Sequence, residues 1–120
     1  MKKFEECSPF FGVKGSETDT LDIEVRRYFI RSNQKKIIIL GKILDGEIIL
    51  GKNIKLVSLN NRNNFLEVKV KEIQTFGKNV EKVLKNKEVG ILLGGISVEE
   101  MRFFNKICAN QYYGISCEVG

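Results

Sequence analysis

Asp45-Gly46 stands between two β-rich apolar runs: Ile37-Ile38-Ile39-Leu40, continued by Lys42-Ile43-Leu44, on one side and Ile48-Ile49-Leu50 on the other. An Asp-Gly pair accepts the positive φ angles of a tight reversal, and with such flanks it is the strongest short-range hairpin signal in the chain. The pattern predicts that Ile48 to Leu50 returns beside the strand that precedes the turn. Gly51-Lys52-Asn53 makes a second reversal, and Ile54-Lys55-Leu56-Val57 a third strand.

The same rhythm runs through the rest of the sequence. Leu21, Ile23 and Val25 alternate with Asp22, Glu24 and Arg26, the period of a half-buried strand. The alternation slips at Arg26-Arg27 before Tyr28-Phe29-Ile30, where a bulge is expected. Leu66, Val68 and Val70 alternate with charged residues before the register shifts to place Ile73 inward, giving a long strand through Phe76 that suits a bending barrel wall. Val89 to Leu93 reads as a strand ending at Gly94-Gly95, and Phe103 to Ala109 and Tyr112 to Val119 as the closing strands.

Between these runs, Asn60 to Asn64 reads as an exposed, unstructured loop. The lysine-rich stretch Gly77 to Lys87 fits either a short amphipathic helix on Val80, Val83 and Leu84 or a connection pinned by those residues. Ser97-Val98-Glu99-Glu100 fits a capping box and allows one helical turn. Residues 1–20, with Pro9, Gly12, Gly15 and a polar run, read as an irregular leader, and residues 21–120 as one domain. About seven short strands with a turn about every ten residues predict an all-β fold, a small barrel or sandwich.

A chain of 120 residues holds one such unit but not a GTPase domain as well. It contains no apolar run approaching the roughly 18 residues of a membrane span, and its first residues lack the apolar core of a secretion signal, so a cytoplasmic, soluble protein is expected. There is no histidine, and Cys7, Cys108 and Cys117 are an odd number at wide spacing. Neither a metal site nor an acid–base couple is expected from such a set, so no catalytic residue and no cofactor are assigned. Net charge is +5, but residues 1–24 hold three lysines and six acids, which leaves 17 basic and nine acidic groups on the rest. A basic body suits a polyanionic partner.

The block from Leu40 to Leu56, with Gly41-Lys42, Gly46 and Gly51, resembles the barrel that follows the GTPase domain in elongation factor Tu and its relatives. The likeness continues through Val70 to Phe76 and through Glu88-Val89-Gly90-Ile91-Leu92-Leu93-Gly94-Gly95-Ile96-Ser97-Val98-Glu99-Glu100-Met101, and so covers roughly Leu21 to Ala109. It implies a small closed β-barrel of the translation-protein type. Gly46 and Gly51 then serve reversals, Gly41 a position where a side chain would collide, and Gly94 and Gly95 the turn after the last family strand. The sequence departs from the family in Ser32 to Lys36, in Phe104-Asn105, and at Gln74 and Gly77, which replace an acidic and a basic residue that touch the terminal adenosine of aminoacyl-tRNA. Binding of aminoacyl-tRNA in that manner is therefore not expected.

The resemblance implies attachment to RNA, at or near the ribosome, through the loop Arg31 to Lys36 and the turn Gly94 to Ser97. Arg31, Lys35, Lys36 and Lys42 are the candidate phosphate contacts. No G-x-x-x-x-G-K-[ST] motif is present, so the chain itself is not expected to bind GTP. The alternative is a protein-interaction module that partners or mimics a translation factor through Phe10, Phe11, Phe103, Phe104, Tyr112 and Tyr113.

Overall fold

The period-two runs become strands in the computed structural model of the chain, which describes residues 5–16 and 19–113. In chain order these are β1 (Glu5–Cys7), β2 (Phe11–Gly15), β3 (Asp22–Arg31), β4 (Lys36–Asp45), β5 (Glu47–Ile49), β6 (Asn53–Ser58), β7 (Phe65–Thr75), β8 (Lys78–Val80), β9 (Lys82–Leu84) and β10 (Glu88–Gly94), followed by the helix α1 (Val98–Tyr113). Six of them close an antiparallel barrel: β2 pairs with β3 and β6, β6 with β7, β7 with β10, β10 with β4, and β4 with β3. β1 extends this wall along β3, and β8 pairs with β7.

The core is the inward half of each alternation. Val13, Ile23, Ile39, Ile43, Ile54, Leu56, Val68, Val70, Ile73 and Ile91 are all buried. Each such side chain contributes about 1.5–3 kcal/mol on leaving water, which fixes the register, because a one-residue slip would turn a whole set outward. The expected bulge is present where the β3–β4 register shifts between Val25 and Arg27. The long strand β7 turns Ile73 inward as its sequence predicts.

Four expectations need correction. First, β5 does not return beside β4. Gly46 does make a reversal with φ +73, its N–H donating to Asp45 Oδ1 at 2.8 Å, but β5 pairs with β9. The reason is topological: both edges of β4 are already occupied, by β3 and β10.

Second, the leader is not irregular throughout. β2 is a barrel stave with Phe11 and Val13 in the core, and β1 lies antiparallel to Tyr28–Ile30. Phe11, Gly12, Val13 and Lys14 carry a period-two signal that the flanking Pro9 and Gly15 hide.

Third, Phe103 to Ala109 is helix. Val98, Met101, Phe104 and Cys108 form one buried stripe at helical spacing and plug the end of the barrel against Phe11, whose ring centroid lies 6.0 Å from that of Phe104. The capping box nucleates it: Glu100 N–H donates to Ser97 Oγ at 3.0 Å and Ser97 N–H to Glu100 Oε1 at 2.9 Å. Tyr112 and Tyr113 still belong to α1, and the rest of the expected last strand lies outside the described residues. Asn105 ties the plug to the start of the chain, accepting from Phe10 N–H at 3.0 Å and donating to the Ser8 carbonyl at 3.1 Å.

Fourth, Asn60 to Asn64 is exposed, as expected, but ordered. Asn63 N–H donates to Asn61 Oδ1 at 3.0 Å, Asn64 N–H to the Asn61 carbonyl at 2.9 Å, and Ser58 N–H to the Asn64 carbonyl at 3.0 Å. Of the two alternatives for Gly77 to Lys87, the connection is the one present, built from β8 and β9 with Val83 buried.

Candidate nucleic-acid interface

The rim of the barrel next to α1 is built from two turns far apart in sequence. One joins β3 to β4: Arg31 ends the first strand, Ser32–Gln34 make a 3-10 turn, and Lys35 closes it with φ 53, donating its N–H to the Ser32 carbonyl at 3.2 Å. Lys36 then opens β4 directly across from Arg31. The Arg31 guanidinium donates to Gln34 Oε1 at 2.9 Å, which holds the turn in shape. The other turn runs through Gly95, with φ +76, and Ile96 to the Ser97 cap.

A side-chain bond joins them, Arg102 Nη2 donating to Ser32 Oγ at 3.1 Å. A cleft of about 300 Å³ lies between, lined by Ser32, Lys35, Ile96, Ser97, Glu99 and Arg102. Arg31, Lys35, Lys36 and Arg102 thus surround one rim, with Glu99 as the acidic member of its wall. Four cations on one edge can accept several phosphates of a folded polyanion without reading its sequence. Arg102 was not legible in the sequence as part of this group, because it enters only once its segment is a helix.

Lys42 is not brought to this rim. It lies six residues along β4 from Lys36, about 20 Å at the rise of an extended strand, opposite Glu24 on one side and Glu88 on the other. Arg26 completes that cluster, with Nη1 donating to Glu88 Oε2 at 2.9 Å and Nε 3.8 Å from Glu24. Lys42 therefore sits among balanced charges.

Beside that cluster is a second cleft of about 330 Å³, lined by Arg26, Arg27, Gln74, Phe76, Gly77 and Val89 among others. Gln74 donates from Nε2 to Asn79 Oδ1 at 3.0 Å. Thr75 pairs with Lys78 across a two-residue reversal, Phe76-Gly77, in which both φ angles are positive. The Phe76 ring is 86% exposed there. Phe in a left-handed turn gives the sequence no turn signature, so this presented aromatic was not foreseen.

Gly41 lies in the wall of the second cleft, Gly51 forms the reversal between β5 and β6 with φ +85, and Gly94 ends β10. Among the aromatic candidates for protein contact, Phe11 and Phe104 are core, Phe10 is half-buried, and Phe103 is 58% exposed on the outer face of α1. The side chains of Tyr112 and Tyr113, and all of Cys117, lie outside the described residues.

Burial pushes the Cys108 thiol up, only partly offset by its hydrogen bond with Ser58. That environment opposes the thiolate a nucleophile requires. Among the described residues no helix is long and apolar enough to cross a membrane. No known protein family matches this chain, and no curated protein matches it.

Proposed function

We propose that this barrel is a non-catalytic, cytoplasmic binding module of the kind that follows the GTPase domain in elongation factor Tu, and that it attaches to RNA at the ribosome through the rim of Arg31, Lys35, Lys36 and Arg102. The observation that carries the reading is the Arg102–Ser32 bond, which joins the two turns singled out from the sequence into one cationic edge. Lysine and arginine donors on a rigid rim bind phosphate by charge-assisted hydrogen bonds and tolerate any base sequence.

The test is co-sedimentation of the purified full chain with ribosomal particles over a salt series. Binding that weakens steeply with salt supports the reading, because each neutralised phosphate releases condensed counterions. Absence of binding at low salt overturns it. A protein-interaction module is the second reading, motivated by Phe103, which α1 leaves on its outer face. It predicts binding that salt hardly changes.

A further inference from the structure

The barrel wall opens where β2 and β3 part. The two strands pair at Val13 with Ile23 and at Lys14 with Asp22. Beyond those pairs Phe11 and Gly12 are matched to Ser58 and Val57 of β6, while Glu24 and Val25 are matched to Lys42 and Gly41 of β4. No described strand faces β3 on that side until β1 meets it at Tyr28. The Glu24 carbonyl is turned to β4, over Gly41. In the alternation of an antiparallel strand the next residue, Val25, directs its N–H and C=O the other way, into the gap.

The gap is a groove of about 390 Å³. Its apolar floor is made by Val25, Leu44, Val57 and Leu59, with Leu44 47% and Leu59 56% exposed. Gly12 leaves the space open by having no side chain. The acids on its edge are already met, Asp22 by Lys14 at 2.9 Å and Glu24 by Arg26 at 3.8 Å. Arg62 lines it too, exposed and without an ion-pair partner among the described residues. The hydrogen-bonded Asn loop presents Arg62 and Leu59 in fixed positions.

We propose that this groove receives an extended peptide segment of a partner protein, which adds as a strand to the open edge of β3, rests aliphatic side chains on Leu44, Val57 and Leu59, and sets an acidic side chain against Arg62. An unpaired strand edge beside pockets for alternate side chains is the geometry of strand addition. The one unmatched charge is positive, so the complementary residue is an Asp or Glu. The floor is aliphatic, without the exposed rings on which nucleobases stack, and that favours a peptide over a nucleic acid. This inference is independent of the RNA-binding rim, which lies elsewhere on the barrel.

The experiment is a titration of the isotope-labelled full chain, followed by amide resonances, with two short peptides of alternating leucine and serine, one ending in Asp-Asp and the other in Lys-Lys. The acidic peptide is expected to shift Gly12, Val25, Leu59 and Arg62, binding about tenfold tighter than its basic twin. Arg62→Glu reverses that preference. Gly12→Val fills the groove: a Cβ at Gly12 would meet the Ile23 carbonyl at 3.5 Å and Leu59 at 3.9 Å, ordinary contacts, so the barrel keeps its spectrum and loses the peptide. Leu59→Asp, on the exposed loop, gives the same loss without touching β2. The proposal is overturned if neither peptide shifts these residues, if both bind equally, if Gly12→Val and Leu59→Asp bind as before, or if a single-stranded oligonucleotide shifts them in place of the peptide.

Discussion

The carbonyl oxygen of Glu24 occupies the place where a Cβ on Gly41 would have to sit, and the Ile23 side chain would stand 3.0 Å from the same atom. Since the obstruction is backbone of the neighbouring strand, it cannot rotate aside. Gly41→Ala is expected to cost about 1–3 kcal/mol through forced separation of β3 and β4. Gly12→Ala, whose Cβ has room, should cost less than 1 kcal/mol by the usual strand scale. Urea midpoints of the two variants, measured together, check this; equal midpoints would place the close approach elsewhere.

Gly46→Val should be far more damaging than Lys52→Ala. Gly46 has φ +73, and its Cβ would lie 2.8 Å from the Leu21 backbone. A β-branched residue there is strained by about 1–3 kcal/mol before any clash is counted. Lys52 is exposed and its loss is expected within about 0.5 kcal/mol. Thermal unfolding of both variants reads the difference.

Ser97→Ala removes the acceptor that Glu100 N–H uses at the start of α1. The expected cost is about 1 kcal/mol. Amide exchange in the first turn of α1 should accelerate while that of β7 and β10 changes less, since only the helix end frays.

The buried Cys108 thiol gives stability a definite pH dependence. Its folded pKa is raised above its ordinary 9.0 by desolvation, so the thiol form is favoured in the fold and the thiolate in the unfolded chain. Its contribution is complete below that ordinary value and is lost as pH climbs through the folded pKa. Cys108→Ala should therefore flatten the alkaline fall of stability relative to the parent. A parallel pair of curves would show that other groups cause the fall.

Replacing Arg31, Lys35, Lys36 and Arg102 together by alanine should flatten the salt slope of RNA binding by up to about 3 units, at about 0.7 per phosphate contact on single strands. Lys42→Ala, within the Glu24–Glu88–Arg26 cluster, should leave the slope unchanged. If Lys42→Ala alone flattens it, the contact surface runs along β4 and not around the rim.

The barrel was legible because burial imposes period two, and Ile23, Ile43, Leu56, Val68 and Ile91 all fall inward as that period requires. Pairing was less legible: Asp45-Gly46 specifies a reversal but not which edge the returning strand meets, and that is decided by β3 and β10 having filled both sides of β4. The helix was foreseen only as one turn, since Phe103 and Phe104 favour strand by propensity while the stripe of Val98, Met101, Phe104 and Cys108 needs the barrel end to bury against. Arg102 was hidden for the same reason. Nothing local in Phe76-Gly77 announces a two-residue reversal that holds an aromatic ring out in water.

The Asn105 clasp has a kinetic meaning. Its partners Phe10 and Ser8 are 95 and 97 residues away along the chain. Contacts of such separation are entropically the slowest to find, and they reward the chain only after the intervening strands are ordered. The plug of the barrel is thus a late event of folding. Substitutions at Asn105 should hasten unfolding and leave the folding rate nearly untouched, which makes this side chain a setting for the lifetime of the native state.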